Sequence, residues 1–235
     1  MKCVVRYFVP LLAAAMCLSA GDAIATPPAN SSIALISKVV LDVSRQEVGK
    51  DWQMADRGET LASGDKIKTG IKSIAVIKFK DNSLVRVREK TVLTVTGEMK
   101  GTAFSKTVTM EKGVVGFNIK KQQLQEEFRF KSPTSVASIR GTGGQFTTHE
   151  AADTLTIIEG NVRLTNNISS DFVDVEAGFT GISNADGSIY KRPSTQAERT
   201  AAEDAIKVGK KDSRLEFELR DSQGNQKQLR IDFDE

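Results

Sequence analysis

Apolar and polar residues alternate in short runs within the stretch Phe128–Gly160, on both sides of an Arg-Gly-Thr turn. Phe128 and Phe130 enclose one polar residue, and so do Leu155 and Ile157. A period of two places successive side chains on opposite faces of an extended strand, whereas it cannot line one side of a helix. This stretch therefore predicts half-buried β-strands and no helix.

The same period recurs from Ile33 to Ile182, where short apolar runs are interrupted by Gly, Asp and Asn. Ala75, Ile77 and Phe79, for example, share one face of a run that ends in a turn. We expect roughly ten to twelve strands, which is too many for one open sheet with both faces covered. The predicted fold class is mainly β, as a compact sandwich, a barrel-like arrangement or a short solenoid.

The composition changes near Pro193. Thr195 and Glu198 have the spacing of a capping box, and the residues up to Gly209 favour a helix of about fourteen residues. Two further alternating runs, separated by a polar turn, predict a β-hairpin with one apolar face. That face is the candidate partner surface, formed by Leu215, Phe217, Leu219, Leu229, Ile231 and Phe233.

The first residues have the three parts of a secretory signal peptide. Lys2 and Arg6 are basic, the run from Tyr7 to Ala20 is apolar, and Ala23-Ile24-Ala25 is a cleavage site. The apolar run is 14 residues long, shorter than the roughly 20 that a spanning helix needs. We expect cleavage after Ala25 and a periplasmic or secreted protein without a stable membrane span.

The expected organisation is a signal peptide at 1–25, a β domain at 26–190, and a C-terminal appendage of helix plus hairpin at 191–235. Both cysteines, Cys3 and Cys17, lie in the first part, so the remaining 210 residues contain no thiol. A cysteine nucleophile and a cysteine-based zinc site are thereby excluded. The net charge of +2 for those residues lacks the basic excess of a nucleic-acid-binding domain.

Arg140 offers a guanidinium that suits a carboxylate or phosphate ligand. The alternative, which we favour, is a structural arginine paired with a carboxylate beneath the turn. The following Gly141-Thr142-Gly143-Gly144 invites comparison with a phosphate-binding loop, but such a loop precedes a helix. Because a strand pattern follows here, the glycines are expected to form a turn or bulge.

His149 is the only histidine and lies in a polar run, which predicts an exposed loop residue. Trp52 is the only tryptophan; it could stack on a sugar or pack in the core. No catalytic motif is present, and neither a cofactor nor a metal is predicted. We therefore expect a protein that is not an enzyme.

The order of several short motifs resembles the FecR domain family over about Ile33–Phe179. These motifs are Gly64-Asp65-Lys66-Ile67-Lys68-Thr69, the strand ending in Asp81-Asn82-Ser83, Gly113-Val114-Val115, the segment from Phe130 to Thr142, Ile158-Glu159-Gly160-Asn161-Val162, and Ala177-Gly178. Asn82 departs from the pattern, because the family usually has glycine there. The residues assigned to the structural motif are Pro133, Arg140, Gly141, Thr142, Glu159 and Gly160.

The resemblance implies an exported β domain that binds a component of the cell envelope. The best-known relatives are inner-membrane regulators that carry a signal from an outer-membrane receptor to a cytoplasmic sigma factor. We do not expect the sigma-factor part of that mechanism here. The predicted function is a non-enzymatic binding, scaffold or signalling-accessory module that contacts an envelope protein, with strand addition by the hairpin. The alternative is a carbohydrate-binding module for peptidoglycan or exopolysaccharide.

Overall fold

The computed structural model of the protein describes residues 32–100, 103–123, 126–207, 214–220 and 226–232, the last two ranges as backbone only. The predicted signal peptide, Gly209 and Phe233 lie outside these residues. Within them the fold is mainly β with one α-helix near the C-terminus, which confirms the predicted class.

Most of the strands are short, and they are closely spaced along the chain. In order they are β1 Ala34–Val40, β2 Val43–Gln46, β3 Gln53–Met54, β4 Thr60–Leu61, β5 Lys66–Thr69, β6 Ile74–Phe79, β7 Leu84–Val87, β8 Val92–Lys100, β9 Ala103–Ile119, β10 Glu127–Lys131, β11 Ser135–Ile139, β12 Thr142–Thr148, β13 Ala152–Glu159, β14 Asn161–Asn166, β15 Phe172–Glu176, β16 Phe179–Asn184, β17 Ile189–Pro193, β18 Arg214–Arg220 and β19 Gln226–Asp232. The predicted ten to twelve strands were too few, because strands of two to four residues are too short to show a period.

The strands form two facing layers. Layer 1 has the order β4-β1-β6-β7-β9-β12-β13-β16-β17. Layer 2 has the order β3-β2-β5-β8-β9-β10-β11-β14-β15. All pairs are antiparallel except β9 with β10.

The 17-residue strand β9 belongs to both layers. Its first part pairs with β8 and β10, and its last part pairs with β7 and β12. Hydrogen bonding therefore joins the two layers into one sheet of 17 strands that folds over on itself. The sheet stays open, so the barrel-like alternative was wrong.

A hydrophobic core lies between the layers and is centred on phenylalanines. Phe79 and Phe117 belong to layer 1, and their rings lie 5.0 Å from those of Phe128 and Phe130 of layer 2, respectively. Phe130 also stacks on Phe146 of layer 1 at 6.0 Å. The alternation seen in the sequence thus supplies the facing surfaces of a sandwich.

The one helix of the described residues, α1, spans Gln196–Ile206. It begins with the predicted capping box, in which Thr195 Oγ1 accepts the N–H of Glu198 and the Glu198 carboxylate accepts the N–H of Thr195. Ala202 and Ala205 are buried where α1 contacts β9, β12 and β13 on the outer face of layer 1. The helix ends three residues before Gly209.

Strands β18 and β19 form the predicted hairpin. Leu215 lies opposite Ile231 and Phe217 lies opposite Leu229 in its register. These two strands pair with each other and with no other described strand. We refer to β18 and β19 together as the terminal ribbon.

Candidate functional site

The Arg-Gly-Thr turn connects β11 to β12 and is locked against the Glu-Gly turn that follows β13. Gly141 has φ +100° and Gly160 has φ +88°, a region that favours glycine. A Cβ at Gly160 would lie only 2.8 Å from the carbonyl oxygen of Gly141. Thr142 Oγ1 donates to the carbonyl of Asn161 at 3.2 Å and holds the two turns together.

Arg140 is exposed, and it forms no ion pair with any residue that the structure describes. The interpretation as a buried arginine paired beneath the turn was therefore wrong. Ser135 and Ile139 at the two ends of β11 are buried, and the alternation of the strand directs the next residue away from the core. Glu159, at the other turn, is also exposed.

Pro133 is exposed in the loop between β10 and β11, where hydrogen bonds fix the chain. Asn167 Nδ2 donates to the carbonyl oxygens of Ser132 at 3.0 Å and Pro133 at 3.1 Å. The N–H of Asn167 donates to the carbonyl of Thr134 at 2.8 Å. This part of the motif stabilises the loop through β14 and its turn.

A buried carboxylate lies beneath the same loop. Asp153 is fully buried, Ser135 Oγ donates to its Oδ2 at 2.6 Å, and Ser132 Oγ donates to the same oxygen. Asp153 Oδ1 is buried without a hydrogen-bond partner. Burial raises the pKa of Asp153, and the hydrogen bonds from Ser132 and Ser135 oppose that rise. Sequence reasoning missed this cluster, although Asp153 shares the inward parity of Leu155.

The Asp-Asn-Ser turn also has a structural role. Asp81 Oδ2 accepts hydrogen bonds from Lys106 Nζ at 2.7 Å and from Gln122 Nε2 at 2.9 Å. Burial raises the pKa of Asp81, but these hydrogen bonds, together with that from Ser83, outweigh burial and hold the pKa below its usual value. Asn82 has φ +63°, which explains why glycine is usual at this position.

The groups considered for chemistry do not converge. His149 is exposed, as expected for a loop residue. Gly143 and Gly144 lie inside β12, so no helix follows them and the phosphate-loop reading has no structural support. Among the described residues, no group of three or more His, Cys, Asp or Glu side chains could hold a metal ion.

Trp52 lies just before the edge strand β3 and is not part of the core, since 36% of it is exposed. Packing in the core, towards which the sequence pointed, was therefore wrong. Lys68 Nζ lies 4.9 Å from the centre of the Trp52 ring, a cation–π distance. One face of the ring is thus already occupied.

A groove of about 490 Å³ lies between α1 and the outer face of layer 1. Lys72, Arg88, Glu89 and Asp204 supply its charged lining. Arg86 belongs to β7, two residues before Arg88; it is 6% exposed, and its Nε and Nη1 are buried without a hydrogen-bond partner. Burial lowers the pKa of Arg86. Sequence reasoning missed this residue, because its position alternates with Val85 and Val87 and predicts a side chain exposed to solvent.

The edges of the sandwich offer little room for another strand. At one end, β3 and β4 have two residues each. At the other end, Lys191 of β17 donates to the carbonyl of Asp174 in β15 at 2.8 Å, and Pro193 closes β17. Lysine and proline at an edge discourage strand pairing. The terminal ribbon, with seven residues in each strand, has the longest edges left unpaired by the described residues.

Residues 65–163 match the family model described as FecR protein. This match confirms the predicted resemblance to the FecR domain family over residues 65–163. No curated protein matches the chain.

Two solved structures have a similar fold, and both are of candidate anti-sigma factors from Parabacteroides distasonis ATCC 8503. The first is 16% identical, with 58% of this chain and 62% of that chain covered at a TM-score of 0.49. The second is 15% identical, with 68% and 70% covered at a TM-score of 0.50. At such low identity the second structure supports the β fold alone, and the chain spans less than two thirds of the first.

Among the described residues, no helix has the length and apolar character needed to cross a bilayer.

Proposed function

We propose that this protein is a non-enzymatic FecR-domain protein of the cell envelope that acts by binding another protein. The terminal ribbon carries this proposal: β18 and β19 pair only with each other among the described residues, and their edges are unpaired. A partner strand that adds to such an edge gains main-chain hydrogen bonds, and side chains on alternate positions provide specificity. The FecR domain and its similarity to candidate anti-sigma factors support a role connected with envelope signalling.

The candidate partner surface is the set of apolar positions predicted from the sequence. Leu215, Phe217, Leu229 and Ile231 form two directly opposed pairs in the ribbon register. Opposed positions of an antiparallel pair lie on the same side, so a bound strand would extend a sheet that already has one apolar face. The proposal includes export of the protein, which is inferred from the signal-peptide pattern of residues 1–25.

Deletion of residues 214–235 tests the proposal by co-purification from envelope fractions. We expect the full chain to retain a partner that the deleted chain loses, while the circular dichroism and melting transition of the sandwich persist. Phe217→Ser in the intact chain should weaken capture in the same direction. A matched control is Phe172→Ser, which removes an exposed ring of the sandwich that is 53% exposed. Capture that depends on Phe172 and survives the deletion would place the binding surface on the sandwich and contradict the proposal.

The exposure of Trp52 favours one second candidate, a carbohydrate-binding module for peptidoglycan or exopolysaccharide. The face of the Trp52 ring opposite Lys68 could stack on a sugar ring. Sedimentation with purified sacculi separates the two functions. If the full chain sediments and Trp52→Ala does not, the carbohydrate function is favoured over protein capture.

A further inference from the structure

The terminal ribbon has only two strands. β18 and β19 pair with each other and with no other described strand. A hairpin of two strands is marginally stable at best in water, whereas three or more strands with an apolar face can be stable. The ribbon therefore gains stability from a further strand at one of its two edges.

The sequence of β18 suits pairing with a second copy of the same strand. Arginine or glutamate occupies every even-numbered position of Arg214–Arg220, and leucine or phenylalanine occupies every odd-numbered one. Directly opposed residues of an antiparallel pair lie on the same face. A two-fold axis through any residue of β18 therefore places apolar positions opposite apolar positions, and the charged positions decide the register.

Two of the possible registers are disfavoured by charge. With the axis at the central Phe217, every arginine of β18 lies opposite an arginine and every glutamate lies opposite a glutamate, which is destabilising. With the axis at Glu218, the two Glu218 residues meet, and the neighbour of Glu218 in its own ribbon is the neutral Gln228. Axes closer to the ends of β18 pair fewer residues.

An axis at Glu216 gives every charged position of the paired segment a neighbour of opposite sign. Arg214 then lies opposite Glu218 of the second copy, and the same pair recurs on the other side of the axis. The two Glu216 residues meet at the axis, and each has Arg230 of its own ribbon directly opposite on its other side. Opposite charges at directly opposed positions stabilise a sheet, so charge favours this register.

We propose that a second copy of this chain pairs with β18 in this register and that the two ribbons form one four-stranded sheet, in the order β19-β18-β18-β19. Leu215 lies opposite Phe217 of the second copy. Within each ribbon Leu215 lies opposite Ile231 and Phe217 lies opposite Leu229, so the rows of apolar positions continue across all four strands. Such an interface uses the same surface on both copies and closes as a dimer.

The dimer uses only one edge of each ribbon. The two outer edges, both formed by β19, stay free for the strand of an envelope protein. The inference thus rests on the same unpaired edges as the proposed function, but it does not require a partner.

Sedimentation equilibrium of the purified full chain tests the dimer and its register. We expect a dimer whose dissociation constant rises about tenfold in Glu218→Arg, because the new arginine opposes Arg214 of the second copy at two places. Its neighbour in its own ribbon, Gln228, is neutral and does not repel it. The matched control is Arg220→Glu, a charge reversal on the same face of β18 but outside the paired segment. It should leave the dissociation constant unchanged.

Disulfide crosslinking locates the axis. The only cysteines of the chain are Cys3 and Cys17, so with both changed to serine a single introduced thiol reports its own contacts. Directly opposed residues have Cβ atoms about 5 Å apart, close to the separation that a disulfide needs. Glu216→Cys should therefore link two copies on mild oxidation. Glu150→Cys, at an exposed loop position of the sandwich, is the control and should stay unlinked.

Several outcomes overturn the proposal. A chain that sediments as a monomer at every concentration overturns it, and so does a dimer that survives deletion of residues 214–235. A greater weakening by Arg220→Glu than by Glu218→Arg contradicts the register. Stronger crosslinking at Glu218→Cys than at Glu216→Cys contradicts it as well.

The dimer and the proposed function fail separately. A monomeric chain that still captures an envelope protein through the ribbon overturns the dimer alone. A dimer that captures no envelope protein supports the dimer and overturns the proposed function.

Discussion

Two charged residues of this protein show that strand alternation can place a charged side chain either outside the core or within it. Arg140 follows the buried Ile139 and points outwards, as alternation requires. Asp153 lies on the same face of β13 as the core residues Leu155 and Ile157. Its side chain points inwards and accepts hydrogen bonds from Ser132 and Ser135. The polar members of the FecR motifs therefore divide into an exposed turn and a buried cluster.

The pH dependence of stability should reveal the buried carboxylate. Burial raises the pKa of Asp153 in the folded state. The contribution of Asp153 to stability is therefore complete below the unfolded-state pKa of about 3.9 and is lost as the pH rises through the folded-state pKa. We expect the melting temperature of the unaltered protein, minus that of Asp153→Asn, to decrease as the pH is raised from about 4 to 7. The control Asp171→Asn, at an exposed carboxylate, should show a flat difference. A rising difference for Asp153→Asn would contradict the raised pKa.

At the scale of elements, α1 is held by its cap and by a close approach to layer 1. Arg192 of β17 forms two hydrogen bonds to the Glu198 carboxylate, at 2.8 and 2.7 Å, and these lower the pKa of Glu198 to about 2. Ala202 and Ala205 are small enough for the helix to lie directly on β9. The helix therefore depends on tertiary contacts rather than on length, since helices this short are marginal in isolation.

Gly116→Ala should displace α1. Its Cβ would lie 2.1 Å from the carbonyl oxygen of Ala205, a backbone atom that cannot move without the helix. We expect a loss of about 1–3 kcal/mol in the free energy of unfolding, measured by chemical denaturation. The matched control is Gly143→Ala, whose Cβ would meet the Ile206 side chain at 3.8 Å, an ordinary contact. Equal effects of the two substitutions would show that the close approach does not matter.

At the scale of the whole molecule, β9 and the phenylalanine cluster make the two layers one unit. β9 pairs within both layers, and Phe130 of layer 2 contacts Phe117 and Phe146 of layer 1. Residues 32–207 contain no cysteine, so burial between the layers replaces disulfide cross-links there. Truncation of one phenylalanine side chain in this cluster is therefore expected to lower the stability of the whole sandwich.

Phe130→Ala should destabilise the protein by about 3–5 kcal/mol, because it removes a fully buried ring and leaves a cavity. Phe172→Ala is the control for loss of an exposed ring. It loses the contact with Arg163, whose guanidinium carbon lies 4.1 Å from the ring centre, and should cost less than about 1 kcal/mol because the ring is 53% exposed. Denaturant titration followed by circular dichroism measures both. Similar losses for the two variants would argue against a core between the layers.

Much of the fold could be predicted because local patterns report local geometry. The period of two in Ala75, Ile77 and Phe79 identified a buried face, and Thr195 with Glu198 identified the start of α1. The number of strands and their division into layers could not be predicted. Strands of two residues carry no period, and the double membership of β9 depends on neighbours far away in the sequence.

The sequence alone determined the strand class, the helix cap, the terminal hairpin and the ordered FecR motifs. The tertiary structure decided which polar groups are buried. Arg86 alternates with Val85 and Val87, as an exposed residue should, yet it is buried beside the end of α1. The physical reason is that alternation specifies which residues share a face of a strand, whereas the packing of other elements decides what covers that face.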